Sequence, residues 1–166
     1  MIIQTIDASR LASSFAPPPD AAGGDGNPKL EVYVIFTDER GTLAALEAAG
    51  KLAQNLEARI NLIAAQVVPL AFPISRPPVS LSFTLRRLQD LACQGAQGDL
   101  ETGIQLYLCR DKRQTVLKVL RPGALVVVGG KKTWWPSKAA RIAKMLEQHG
   151  YRVIFAALQR RGECHA

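Results

Sequence analysis

Residues 124–132 read Ala-Leu-Val-Val-Val-Gly-Gly-Lys-Lys: five apolar positions run without polar alternation into two glycines and two lysines, ahead of a helix that starts near Pro136. Such a run is a strand covered on both faces, the pattern of a central strand in a parallel sheet. Parallel sheets bind ligands in the crevice beyond the carboxyl ends of their strands, so the Gly129-Gly130-Lys131-Lys132 junction is the first candidate site.

On either side of this run the apolar pattern switches repeatedly between short continuous runs and helical spacing, the sign of alternating strands and helices. Five strands are expected: Glu31 to Thr37, Ile60 to Val68, Gly103 to Cys109, Ala124 to Val128 and Tyr151 to Leu158. Between them, residues 42–58 place Leu43, Leu46, Ala49, Ala53 and Leu56 at helical spacings of three and four. Further helices are expected over 83–93, 113–120 and 137–149, the last with Ala139, Ile142, Ala143 and Leu146 inward, Lys138, Arg141 and Lys144 outward, and Gly150 as a left-handed stop. Crossovers between parallel strands are right-handed, so this order gives an α/β fold, a three-layer α/β/α sandwich. The connection from Val68 to Ser82 holds Pro69, Pro73, Pro77 and Pro78, and it reads either as a lid or binding loop or as a stiff surface loop.

The 166 residues suit one core without metal or disulfide staples. Residues 16–28 contain four Pro and three Gly, so 1–28 is expected to be a flexible arm and linker, 29–158 the domain and 159–166 a disordered tail. The segment Met1 to Phe15 is too short for a core of its own; it docks as an extra strand or stays loose. Cys93, Cys109 and Cys164 are odd in number and widely spaced, which fits a reducing cytoplasm and no cysteine zinc site. No stretch approaches the ~20 apolar residues of a spanning helix, so no membrane partner is expected.

The net charge of +7 is unevenly placed. Residues 110–144 hold ten bases against the single Asp111, leaving the rest of the chain slightly acidic. These bases either attract an anionic partner or solvate exposed helix faces.

The segment from Leu30 to Leu158 resembles the universal stress proteins, within the adenine nucleotide alpha hydrolase-like superfamily. The resemblance rests on the order of elements, on Thr37-Asp38 closing the first strand, on the long loop after the second, and on VVVGG before the last helix and strand. It implies a Rossmann-like five-stranded parallel sheet of order 3-2-1-4-5, which brings Asp38 and Gly129-Gly130 to one crevice. Nucleotide-binding members carry an Asp after the first strand and a loop Gly-x2-Gly-x9-Gly-Ser/Thr after the fourth. Asp38 and Gly129 match, but the second Gly falls on Lys132 and no Gly-Ser or Gly-Thr pair follows before His149. The chain thus resembles the subset that lacks the full ATP-binding loop, with an adenine nucleotide as the cofactor the resemblance suggests.

The candidate site for a nucleotide or other anion comprises Thr37, Asp38, Gly129, Gly130, Lys131, Lys132 and Ser137, because a helix N-terminus exposes N–H groups and the lysines add charge. The same glycines serve equally for a tight turn, and Asp38 for a helix cap. Trp134 and Trp135 either stack on a base, form a partner surface or pack over the sheet edge. GGKKT is not a Walker loop, His149 and His165 lack metal-ligand spacing, and no nucleophile and base pair emerges, so no catalytic or metal residue is assigned. The expected function is a non-enzymatic regulatory or stress-response domain, dimeric through Tyr151 to Leu158, with weak anion binding. The alternative is a basic module that grips nucleic acid or an acidic protein. A nucleotide-dependent enzyme would need the phosphate loop that is incomplete here.

Overall fold

Val32 and Val34 face one way from their strand while Tyr33 and Ile35 face the other, and all four are buried, so this strand has helices on both sides. The computed structural model describes residues 2–7, 30–95, 100–133 and 136–158. The linker at 16–28, the tail at 159–166 and the pair Trp134-Trp135 lie outside them. The elements are β1 (Ile2–Asp7), β2 (Glu31–Ile35), α1 (Glu39–Leu56), β3 (Arg59–Val67), α2 (Leu81–Gly95), β4 (Thr102–Cys109), α3 (Lys112–Val119), β5 (Leu125–Gly130), α4 (Lys138–Gln148) and β6 (Arg152–Ala157).

They form one six-stranded sheet of order β1-β4-β3-β2-β5-β6. Strands β2 to β6 are the five expected parallel strands in the order 3-2-1-4-5. The addition is β1, which lies antiparallel along β4 from Ile2↔Leu108 to Asp7↔Gly103. Of the two outcomes open for the first residues, docking as an extra strand is the one seen at 2–7.

Two cores flank the sheet. Ala45, Leu46, Ala49 and Ala53 of α1 and Leu85, Leu88 and Leu91 of α2 pack on Val32, Val34, Leu62 and Leu106. On the other face, Val116 beside Leu120 and Ala139, Ala143, Met145 and Leu146 of α4 pack on Tyr33, Ile35, Ile63 and Val128. Two helix assignments shift. Leu56, expected on the buried face of α1, is 47% exposed; the buried face ends at Ala53, and the helix closes at Glu57, which turns left-handed (φ 50°). On α4, Ala139, Ala143 and Leu146 are buried as expected, but Met145 is buried as well and Ile142 only partly so. Gly150 adopts the expected left-handed stop, with φ 84°.

Candidate functional site

The winding direction reverses between β2 and β5, which lie side by side with Val32↔Leu125 through Ile35↔Val128 in register. Beyond β2 the chain turns into α1, whose N-cap is Asp38: its Oδ1 accepts from the Gly41 N–H at 2.9 Å, and Glu39 follows in the first turn. Thr37 spans the gap. Its hydroxyl donates to the Gly129 carbonyl at 2.8 Å, while its N–H donates to the Thr42 hydroxyl at 3.2 Å.

Gly129 and Gly130 belong to strand β5 rather than to a loop after it. The strand runs two residues further than its apolar stretch because β6 continues alongside, Gly129↔Ala156 and Gly130↔Ala157. Their lack of side chains answers a close approach. A Cβ on Gly129 would overlap the Gly41 carbonyl oxygen, and one on Gly130 would stand 2.5 Å from the Ala139 Cβ. The first turns of α1 and α4 therefore press directly on the end of β5.

Lys131 and Lys132 leave this packed rim and are exposed. Ser137, partly buried, caps α4 by accepting from the Ala140 N–H at 3.2 Å. Of the seven predicted residues, Thr37, Gly129, Gly130 and Ser137 are thus brought together by hydrogen bonding or close packing. The Asp38 carboxylate is turned to its helix, and the two lysines stand out in solvent.

The sequence reading missed Lys112. It opens α3 behind the N-cap Asp111, and its ammonium reaches back to donate to the Phe36 carbonyl at 2.9 Å, at the end of β2. Burial pushes this amine below the usual lysine range, and the charge of Lys138 lowers it further. One cue was present: a lysine next to the cap of a helix that follows a buried strand starts at the carboxyl edge of the sheet.

Arg110, next to it, clamps the connection after β3. One guanidinium nitrogen donates to the Val68 and Pro69 carbonyls at 2.7 and 2.5 Å, and the other to the Phe72 carbonyl at 2.9 Å. This favours the stiff-loop reading of 68–80 over a lid. Two shallow grooves are lined by none of the seven predicted residues: about 320 Å³ between α1 and α2, around Glu39, Arg40, Leu43 and Arg87, and about 190 Å³ between Ile74 and α3. Among the described residues no three or more His, Cys, Asp or Glu side chains converge as a metal site, and no helix is long and apolar enough to cross a membrane.

A doubly wound α/β domain with a basic rim at its winding switch is the class these features define. Among solved structures, a protein of the universal stress protein family from Burkholderia pseudomallei matches with a TM-score of 0.55 and 19% identity over 80% of this chain and 99% of its own. Universal stress protein UspA from Lactobacillus plantarum matches with 0.48 and 16% over 78% and 99%, and a universal stress protein in complex with cAMP with 0.46 and 18% over 76% and 95%. The likeness to the Burkholderia protein is one of fold: this chain has the universal stress protein fold. No protein-family model and no curated protein matches the sequence.

Proposed function

We propose that the chain is a non-enzymatic universal-stress-type regulatory domain of the cytoplasm that holds a small anion, an adenine nucleotide among them, weakly at the rim of its winding switch. The observation that carries this reading is the Thr37–Gly129 bond, which ties the two strand ends where the winding reverses, directly ahead of exposed Lys131 and Lys132. The N-terminus of α4, capped by Ser137, and the partly buried ammonium of Lys112 add positive potential at the same edge of the sheet. A packed rim with solvent-exposed lysines suits weak binding of phosphate, not an enclosed catalytic pocket. The odd, widely spaced cysteines support a reducing compartment.

Self-association through β6 belongs to the same reading. It is an edge strand, and its Val153, Ile154 and Phe155 are only partly buried, so a second copy laid along it would cover both apolar surface and unpaired backbone groups.

Thermal melts with ATP, ADP, AMP and cyclic nucleotides test the anion site. Ligand at a hundred times its dissociation constant adds about 2.7 kcal/mol of stability. A stabilising shift that Lys132→Ala abolishes supports the rim, and a shift that survives Lys132→Ala places the ligand elsewhere. Sedimentation tests the dimer, which a monomer at high concentration would rule out.

A second reading rests on α4, whose outer face exposes Lys138, Arg141 and Lys144: a basic module for nucleic acid or an acidic protein. It requires oligonucleotide binding at low salt that disappears on modest added salt.

A further inference from the structure

Most of the large apolar side chains that the described surface leaves open lie in one stretch of chain. Leu70 is 88% exposed and Phe83 60%, and Val67, Phe72 and Val79 are all more than 40% exposed. They belong to the end of β3, the proline-rich loop and the first turn of α2, which are fastened together by the Thr84 hydroxyl bonded to Gln66 Oε1 at 3.1 Å. The loop is held in one shape by Arg110, by the Phe72 N–H on the Pro69 carbonyl (3.0 Å) and by the Arg76 N–H on the Pro73 carbonyl (3.0 Å). Its apolar side chains are displayed by a rigid support, at no further ordering cost.

Two further observations indicate what the display meets. Between Glu57 and Asp90 the chain carries no acidic residue, and of the arginines there Arg76 lies in the loop and Arg86 on α2, both exposed, whereas Arg87 is paired with Glu39 and Arg59, at the far end of β3, with Glu101. The loop also sits at the carboxyl end of the parallel strands, the end from which Lys131 and Lys132 project. Leu70, 88% exposed, protrudes from a turn and lines neither of the two grooves, so it suits entry into a soft, flat phase better than capture of a protruding partner side chain.

We propose that the β3–α2 loop is a peripheral docking surface for an anionic lipid bilayer, with Leu70 and Phe72 entering the headgroup layer and Arg76, Arg86, Lys131 and Lys132 meeting lipid phosphates. Neither signal is sufficient alone; shallow apolar insertion joined to a basic surface gives reversible, lipid-selective attachment. No spanning helix is required, so the contact is compatible with the chain's lack of a long apolar segment.

Flotation of the full chain with vesicles tests this. Vesicles of phosphatidylcholine with about one third phosphatidylserine should carry the protein up, and pure phosphatidylcholine should not, with binding lost as salt shortens the Debye length. Leu70→Ser with Phe72→Ser should weaken the anionic-vesicle affinity about tenfold, and Leu70→Ser alone, at an 88% exposed position, should weaken it with an unchanged melt. Arg76→Ala provides a second variant, which should lower affinity and flatten the salt dependence. Absence of binding to anionic vesicles at low salt overturns the proposal. So does full binding by the Leu70/Phe72 variant, which would reduce the contact to charge alone. Binding of a soluble acidic amphipathic helix at this loop without vesicle binding would reassign it to a protein partner.

Discussion

Thr37 and Gly129, ninety-two positions apart, are joined by a 2.8 Å bond from the threonine hydroxyl to the glycine carbonyl, across the line where the sheet changes winding direction. The bond closes the polar accounting of a strand end: the Gly129 carbonyl sits in a tight backbone contact with α1 and Thr37 supplies a donor to it. Thr37→Val keeps the shape and removes the donor. The expected cost is about 1–2 kcal/mol, read as a lowered urea midpoint with an unchanged slope. A neutral substitution would mean that water replaces the hydroxyl without loss.

Gly129→Ala should be far more damaging than its single methyl suggests. The new Cβ would overlap the Gly41 carbonyl oxygen, and a backbone atom cannot rotate away as a side chain would. Overpacking usually costs about 1–3 kcal/mol, and the rigid neighbour puts this site at or above the upper figure. Gly123→Ala is the control, because its Cβ would meet nothing within 4 Å and only its φ of 71° opposes the change, at about 1 kcal/mol. Chemical denaturation of both variants should rank Gly129 well below Gly123.

The parallel strands were legible because each buried run has β-branched or aliphatic residues on consecutive positions, which only a sheet covered on both faces accommodates. Strand ends were less so. Apolar content ends at Val128, but backbone pairing with β6 continues through Gly130, and pairing leaves no mark in glycine side chains. The starts of α1 and α3 moved outward for a related reason. Asp38 and Asp111 begin their helices as caps, ahead of the first apolar residue on the buried face. At the rim, Thr37 and the glycines were identifiable from their place at strand ends. Lys112 was not, because a lysine in a basic stretch reads as a solvated charge until the fold brings Phe36 beside it, seventy-six positions away.

Arg110→Ala should release the loop without unfolding the domain. The carbonyls of Val68, Pro69 and Phe72 lose the guanidinium at once, the Pro69 carbonyl keeping the Phe72 N–H, and the loop loses this side-chain cross-link to the end of β4. Amide exchange at Phe72 and Arg76, whose N–H groups close turns inside the loop, should accelerate at least about tenfold, while amides in β3 and β5 stay protected. Because those carbonyls are partly solvated, the global loss should remain near about 1–2 kcal/mol. Unchanged exchange at Phe72 would show that the prolines alone hold the loop.

Stability should pass through a maximum in alkaline solution, because the buried titratable groups pull in opposite directions. Burial holds Lys112 below the ordinary lysine value, so between the two values the unfolded chain binds more protons than the folded one, and stability rises with pH there. Tyr33 and Tyr107 are displaced the other way. Burial raises both, and for Tyr33 the 2.5 Å bond from its hydroxyl to Glu31 adds to the shift. Their contribution is intact below the ordinary tyrosine value of about 10 and is lost as pH climbs above it, since the unfolded chain ionises first. Urea melts across this range should show the Lys112 gain giving way to the tyrosine loss. Lys112→Met should flatten the rising limb and Tyr33→Phe should soften the fall. A native curve that Lys112→Met leaves unchanged would mean that the ammonium is solvated at the rim, not buried against Phe36.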